Sequence, residues 1–157
     1  MKQLVKISWS RNNTELFIDG KYSRKHLWTF DGGSEIVASS SPDVVPLPYS
    51  IENAVDPEEA FVASLSSCHM LFFLSIAASK KFTIEKYIDE AEGILDKNAE
   101  GIMMMVSVTL KPKVVFSGNK IPTIEQIDEI HHLAHERCFL ASSVRSQLNI
   151  LPQYLEI

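Results

Sequence analysis

Alternation of hydrophobic and polar positions predicts β-strands in the first third of the chain. It runs through residues 4–9 and 15–18, and the polar segment at 11–13 suggests a hairpin connection between them. A third alternating segment covers residues 26–30 and ends at an Asp-Gly-Gly turn. Residues 39–48 contain three prolines, a spacing that neither a helix nor a central strand tolerates. We therefore predict three strands followed by an extended loop.

A long apolar segment follows and predicts a buried helix. Asp56 is placed as its N-cap and Pro57 as its first helical residue, with two glutamates in the first turn. Hydrophobic residues then continue on almost every side to Ala78, where two lysines follow. The most apolar part, residues 70–78, is far shorter than the roughly 20 residues of a membrane span. We expect this helix to be buried on every face by a sheet, a second helix or another subunit.

The second half of the chain reads as a mixture of strands and one helix. The spacing of apolar residues in 82–95 favours a helix over a strand. Strict alternation at 102–110 predicts a strand, and residues 144–150 suggest a last short one. Between these, Thr123 and Gln126 form a capping-box pair that opens a second helix.

Composition narrows the class of protein. The length favours a single domain, residues 1–157, and the 45% hydrophobic content excludes a disordered chain. Fifteen basic residues stand against twenty acidic ones, and no basic stretch is present, so no nucleic-acid partner is expected. Residues 1–10 alternate instead of forming an apolar leader. We expect a cytoplasmic, soluble protein without a membrane partner.

Two cysteines are the candidates for chemistry. In a reducing compartment they seldom form a permanent disulfide, and a lone cysteine such as Cys68 is most often a small buried hydrophobe. His131, His135 and Cys138 lie at i, i+4 and i+7, so one helix face could present three zinc ligands, with Cys68 as a fourth. Structural zinc sites normally take closely spaced pairs of ligands from two segments, and the segment around Cys68 has no second cysteine nearby. We therefore rank metal binding below redox chemistry. We predict no cofactor.

Three motifs resemble the OsmC/Ohr family of bacterial peroxidases, which comprises osmotically inducible protein C and the organic hydroperoxide resistance proteins. They are Asp-Pro-Glu-Glu-Ala-Phe at 56–61, Ser67-Cys68-His69, and Ala-His-Glu-Arg-Cys at 134–138, while residues 22–33 are similar to the N-terminal strand of an OsmC-like subgroup. The resemblance implies an α+β fold in which the antiparallel sheets of an intertwined homodimer wrap around a central, buried, cysteine-bearing helix. It also implies a long strand at 82–95, which we adopt over the helical spacing.

The resemblance also implies site residues and a reaction. Cys68 matches the peroxidatic cysteine and Cys138 the resolving cysteine. Glu58 matches the acid of the family's Asn-Pro-Glu or Asp-Pro-Glu segment, while Arg24 is the best match for its active-site arginine. The implied function is a thiol-dependent peroxidase that reduces organic hydroperoxides in the oxidative stress response. It acts through a Cys68 sulfenic acid and a Cys68–Cys138 disulfide, and a lipoyl-type or thioredoxin-type dithiol is its reductant. Phe139 follows Cys138 where hydroperoxide resistance proteins usually carry proline, which places the chain nearer the OsmC-like branch.

The chemistry itself requires a cation beside Cys68. A peroxide is attacked by a thiolate, and burial among apolar neighbours opposes ionisation of the sulfur. A guanidinium stays charged when desolvated, so Arg24 is the first choice and His69 the second. Glu58 would orient Arg24, yet ten residues of helix separate Glu58 from Cys68 by about 15 Å. Either the helix breaks between them or Glu58 comes from the other subunit, and we predict a composite site at a dimer interface.

Two other functions stay open from the residues. One is a non-catalytic protein of the same fold that binds a small apolar ligand between subunits, with both thiols serving as packing. The other is the metal-binding protein that uses His131, His135 and Cys138.

Overall fold

The computed structural model describes residues 1–154 and contains helices and sheets in one chain. Two compact units are present, Met1–Ala60 (the first unit) and the chain from Phe61 onward (the second unit), with their boundary inside a long helix. The elements are, in chain order, β1 (Val5–Ser8), β2 (His26–Phe30), β3 (Glu35–Ala38), α1 (Pro57–Ser79), β4 (Thr83–Asp89), β5 (Glu92–Lys97), β6 (Met103–Leu110), β7 (Pro112–Ser117), α2 (Ile124–Arg137) and β8 (Gln147–Ile150).

The first unit is built on an antiparallel sheet in the order β1-β2-β3, with Trp28 of β2 opposite Ile7 and Ile36. Two of the three predicted strands are confirmed as β1 and β2, and the proline-rich segment is a loop. The predicted strand at 15–18 is wrong, because Phe17–Asp19 forms a 3-10 turn. Gly20 ends this turn in the left-handed conformation at φ 74°, and the Phe17 ring stacks on that of Tyr22 instead of on a neighbouring strand.

Helix α1 begins as its sequence predicts. The Glu59 N–H donates to Asp56 Oδ1 at 2.7 Å, and the Asp56 N–H donates back to Glu59 Oε2 at 3.2 Å, which is a reciprocal capping box. The helix ends at Ser79, directly before the lysine pair. Lys81 then turns the chain in the left-handed conformation at φ 65°, and the Phe82 N–H donates to the Ala77 carbonyl.

Only one stripe of α1 is buried within the chain. Its buried members, spaced three to four residues apart, are Leu65, His69, Phe73, Ile76 and Ala77. The single chain does not cover every face, because Leu71 on another face is 62% exposed, so the expected covering of that face by another subunit stays a prediction. By length and apolar content alone α1 could cross a membrane, a test that core helices of soluble proteins also pass. Its buried stripe packs in the core of the second unit.

The second unit contains two sheets. Strands β4 and β7 pair antiparallel, while β5, β6 and β8 form a second sheet in which β6 and β8 run parallel. Most of residues 82–95 are thus strand and not helix, as the family resemblance implied, but they form two strands in different sheets instead of the single long strand that we expected. The parallel pair corrects the expectation of wholly antiparallel sheets, and β7 was not predicted.

A β-bulge explains why the spacing of β4 looked helical. Ile84 pairs with Phe116 and Lys86 with Val115, so Glu85 is an extra residue in this strand. The extra residue lets Ile84 and Tyr87 pack against the same core cluster although they are three positions apart. That cluster also contains Phe73 of α1, and its members from α2 are Ile130 and Ala134.

Helix α2 begins at the predicted capping box. The Gln126 N–H donates to Thr123 Oγ1 at 3.3 Å, and the Thr123 N–H donates to Gln126 Oε1 at 3.0 Å. Its buried side chains are Ile130, His131 and Ala134, and Cys138 caps its C-terminal end. The helix thereby brings the second cysteine segment against α1.

Candidate active site

The two cysteines meet inside the second unit. The Sγ atoms of Cys68 and Cys138 are 2.8 Å apart, and both thiols are free. Cys68 comes from the middle of α1, whereas Cys138 sits where α2 ends and the chain turns back through a 3-10 turn at Ala141–Ser143. This distance confirms the expected proximity of the two sulfurs across seventy positions of sequence. A disulfide between them would require only a small approach.

Their surroundings make the two sulfurs unequal. Cys138 is only 1% exposed, and its burial, together with its hydrogen bond to the Cys68 thiol, raises the pKa of the Cys138 thiol. The Ala141 N–H donates to its sulfur at 3.4 Å and partly opposes that rise. Cys68 is half-buried and borders an open groove. Of the two, Cys68 is the sulfur that a molecule from solution can reach.

The groove beside Cys68, called here the Cys68 groove, has a volume of about 490 Å³. Its other lining residues are Ser64, Ser67, Leu71, Phe72, Ser75, Phe139 and Leu140. The Phe72 and Phe139 rings meet edge to face with centroids 5.2 Å apart, and Phe139 is 74% exposed. The wall offers apolar surface and hydroxyl groups, but within the described residues it contains no charged side chain. It suits an apolar molecule and does not itself supply a cation.

Arg24 lies in the first unit, with its guanidinium held locally. Its Nη1 donates to the carbonyls of Gly20 and Tyr22 at 2.7 and 2.5 Å, and its Cζ lies 3.8 Å from the centre of the Tyr22 ring. The main-chain N–H of Arg24 donates to the Tyr49 carbonyl at 2.8 Å. These contacts fix where the cation sits on its own unit. Its pairing with Cys68 stays a prediction.

Glu58 occupies the first turn of α1, next to the capping residue Glu59. Helix α1 runs without interruption from Pro57 to Ser79, so the possibility that it breaks between Glu58 and Cys68 is excluded. Ten residues along one helix correspond to about 15 Å. The remaining version of the prediction is that Glu58 acts on the Cys68 of a second copy.

A buried histidine pair, which the sequence analysis did not predict, joins α1 to α2. His69 Nε2 lies 3.0 Å from His131 Nδ1, and the two residues are 2% and 3% exposed. Burial lowers the pKa of His69 to about 4 and that of His131 to about 3, with a further lowering by the neighbouring His135 and His69 respectively. Both imidazoles are therefore neutral near pH 7. His69, the second choice for a cation, cannot serve as one.

The described residues do not support the zinc interpretation of the histidine segment. Within residues 1–154 no three histidine, cysteine or acidic side chains converge as metal ligands. The Nδ1 atom of His131 is hydrogen-bonded to His69. One helix turn later, the Nδ1 atom of His135 is buried and has no hydrogen-bond partner within the described residues. A signal for the histidine pair was present in the sequence: His69 falls on the buried stripe of α1, between Leu65 and Phe73.

Comparison with known proteins gives the relationships of the chain. The OsmC-like protein family model matches residues 51–151. An OsmC-like protein of unknown function from Vibrio cholerae is 52% identical, with a TM-score of 0.96 over 98% of this chain and 99% of that one. No curated protein matches the chain.

More distant structures share the fold alone. An OsmC-like protein from Mycoplasma pneumoniae is 15% identical, with a TM-score of 0.74 over 99% of both chains. The organic hydroperoxide resistance protein OhrB of Bacillus subtilis is 18% identical, with a TM-score of 0.66 over 98% of this chain and 97% of that one. The architecture is therefore the OsmC-like fold, and by the family model and the Vibrio relative the chain belongs to the family of OsmC-like proteins.

Proposed function

We propose that this protein is a thiol-dependent peroxidase that reduces organic hydroperoxides in the cytoplasm. The observation that carries the proposal is the 2.8 Å separation of two free thiols, one of which borders an open apolar groove. The OsmC/Ohr family is soluble and includes peroxidases, and the organic hydroperoxide resistance proteins share this fold.

The reaction begins at Cys68. Its thiolate attacks the terminal oxygen of the hydroperoxide, so that an S–O bond forms, the O–O bond breaks and the alkoxide leaves to become an alcohol by taking up a proton. Cys68 is oxidised to a sulfenic acid by this step. The high pKa of Cys138 keeps its thiol protonated meanwhile, which reserves it for the second step.

The second step joins the two sulfurs. Cys138 attacks the sulfur of the Cys68 sulfenic acid, an S–S bond forms, and hydroxide leaves with the Cys138 proton as water. The neighbouring position of Cys138 favours this capture over further oxidation by a second peroxide. A cellular dithiol, of the lipoyl or thioredoxin type, then reduces the disulfide by exchange and is itself oxidised to a disulfide.

The cation that this chemistry needs comes from a second copy in our proposal. The Cys68 groove has no charged wall residue among those described, and α1 holds Glu58 about 15 Å along the helix from Cys68. Proteins of the OsmC/Ohr family are typically homodimers. A second copy would bring its Arg24, oriented by the Glu58 carboxylate, to the open side of Cys68.

The groove also favours one class of peroxide. Leu71, Phe72 and Phe139 present apolar surface beside Cys68, and burying the organic group of a hydroperoxide there removes that group from water. Hydrogen peroxide has no such group. We therefore propose organic hydroperoxides as the preferred substrates.

The test is peroxide turnover by the reduced protein and its cysteine variants. With dihydrolipoamide as reductant, the wild type should reduce cumene hydroperoxide over many turnovers. Without a reductant, the same peroxide should remove two free thiols per chain. Cys68→Ser should lose turnover entirely. Cys138→Ser should stop at a sulfenic acid and become over-oxidised when peroxide is in excess. Ser79→Ala, on the same helix but outside the Cys68 groove, is the matched control and should keep wild-type turnover.

Two results would count against the proposal. Turnover that persists in Cys68→Ser would remove Cys68 from the reaction, and a wild type that keeps both thiols in excess peroxide would favour the non-catalytic ligand-binding alternative. Comparable kcat/KM for hydrogen peroxide and cumene hydroperoxide would contradict the preference for organic substrates.

A further inference from the structure

The hydrogen bond between the two thiols has a direction. Cys138 Sγ is its donor and Cys68 Sγ its acceptor, with 2.8 Å between the sulfurs. The Ala141 N–H donates to the same Cys138 sulfur at 3.4 Å. Cys138 therefore accepts one hydrogen bond from the main chain and donates one to Cys68, which is the acceptor that the described residues offer to its thiol hydrogen.

Burial decides which of the two sulfurs keeps its proton. Cys138 is only 1% exposed, so a negative charge on its sulfur would lose nearly all contact with water. Cys68 is half-buried and borders the Cys68 groove, where a charge on the sulfur stays in contact with water. Burial is also the largest influence that raises the pKa of the Cys138 thiol, and the opposing effect of the Ala141 N–H is smaller. When the pair loses one proton, that proton therefore leaves from Cys68, and Cys138 remains a thiol.

We propose that the Cys138 thiol acts before the resolving step: it donates its hydrogen bond to the Cys68 thiolate and so stabilises the nucleophile that attacks the peroxide. A hydrogen bond to an ionised acceptor is stronger than one to a neutral acceptor, so this contact favours the thiolate of Cys68 over its thiol. Cys138 is then a catalytic residue in both steps, as a donor in the first and as a nucleophile in the second. Its part in peroxide reduction rests on the proposed function, whereas the stabilisation of the thiolate exists without peroxide.

The other titratable groups near the two sulfurs do not replace this donor. The wall of the Cys68 groove has no charged side chain among the described residues. Burial lowers the pKa of His69 on α1 and that of His131 on α2, so both imidazoles are neutral near pH 7. His135 lies on α2 three residues before Cys138. A variant at Cys138 leaves all three histidines in place, so a difference between two such variants reports on the donor itself.

The experiment compares Cys138→Ser with Cys138→Ala. The chain has two cysteines, so Cys68 is the sole thiol of either variant. Serine keeps a hydrogen-bond donor beside Cys68, whereas alanine removes it. Iodoacetamide reacts with the thiolate, so the alkylation rate against pH measures the ionisation of Cys68. The half-maximal rate should occur about one pH unit higher in the alanine variant, which is about a tenfold loss of thiolate at a pH below both midpoints.

The wild type gives a second measurement, which tests the proposal even if the alanine variant does not fold. With 13C at the cysteine Cβ atoms, the NMR signal of Cys68 should move first as the pH rises, while the signal of Cys138 stays at its thiol position. Equal midpoints in the two variants, or ionisation of Cys138 before Cys68 in the wild type, would overturn the proposal. A pH difference as expected in a protein that does not reduce peroxides would support the thiolate stabilisation and refute the proposed function alone.

Discussion

At the scale of single residues, two side-chain contacts between α1 and the end of the chain around α2 build the site: the Cys68–Cys138 thiol pair and the His69–His131 hydrogen bond. The proximity of Cys68 and Cys138 followed from a resemblance in two short motifs. The His69–His131 hydrogen bond did not, because no rule of spacing links one residue on α1 with another on α2 sixty-two positions later. A buried histidine also reads in sequence as a possible ligand or cation. Burial makes both residues neutral. The sequence signals burial only for His69, through its four-residue spacing from Leu65 and Phe73, and the burial of His131 is seen only in the fold.

The histidine pair should make stability depend on pH. In the unfolded chain each histidine takes up a proton below about pH 6.5, whereas in the folded protein His69 resists protonation to about pH 4 and His131 to about pH 3. The unfolded state binds more protons in this window, so stability is full above pH 6.5 and falls as the pH decreases. The free energy of unfolding should drop by about 2 kcal/mol per histidine between pH 7 and pH 5.

Urea denaturation at several pH values measures this effect. His131→Gln should flatten the dependence between pH 7 and pH 5, while His132→Gln, which removes an exposed histidine on the same helix, should leave the wild-type slope. His135, whose Nδ1 is also buried, contributes to the lowered pKa of His69. Equal slopes for wild type and His131→Gln would show that the pair does not control acid stability.

At the scale of helices and strands, the predictions from sequence were correct where local signals and tertiary packing agree. Both helix starts were correct, because the capping boxes at Asp56 and Thr123 are local hydrogen-bond patterns that the sequence displays directly. Strand β4 was ambiguous, because a bulge at Glu85 gives an apolar spacing of three. The segment 15–18 alternates like a strand, yet the ring of Phe17 packs on those of Trp9 and Tyr22. Neither a bulge nor an aromatic cluster is visible in periodicity.

The N-terminal cap of α2 should contribute measurably to the stability of the protein. Thr123→Ala removes the oxygen that accepts from the Gln126 N–H and should lower the free energy of unfolding by about 1 kcal/mol. Thr123→Ser keeps that oxygen and should stay close to wild type. Chemical denaturation of the two variants at pH 7 makes the comparison. A serine variant as unstable as the alanine variant would show that the cap does not stabilise α2.

At the scale of the whole molecule, the single chain exposes apolar side chains next to Cys68. Leu71, Leu140 and Phe139 are exposed around the Cys68 groove, and α1 buries one stripe only. Apolar surface of this kind is typical of interfaces. It supports the proposed homodimer, in which a second copy would cover the groove and complete the site.

Leu71→Glu tests the dimer. Placing a charge on the groove should convert a species of twice the 17.7 kDa chain mass into a monomer in light scattering, and peroxidase turnover should fall with it. Leu151→Glu, at another exposed leucine of the second unit, should remain dimeric. A wild type that is monomeric at micromolar concentration would contradict the composite site, although the thiol chemistry within one chain could still be observed.

The histidine pair has a consequence for sequence variation in this protein. His69 directly follows Cys68, and His131 precedes Cys138 by seven residues, which is close to two turns of α2. The contact between the two imidazoles therefore determines which side of α1 faces which side of α2. Removal of one residue between His131 and Cys138 would turn the thiol by about 100° around the helix axis, away from its partner sulfur. The interval between the two residues thus belongs to the site as much as their identities do.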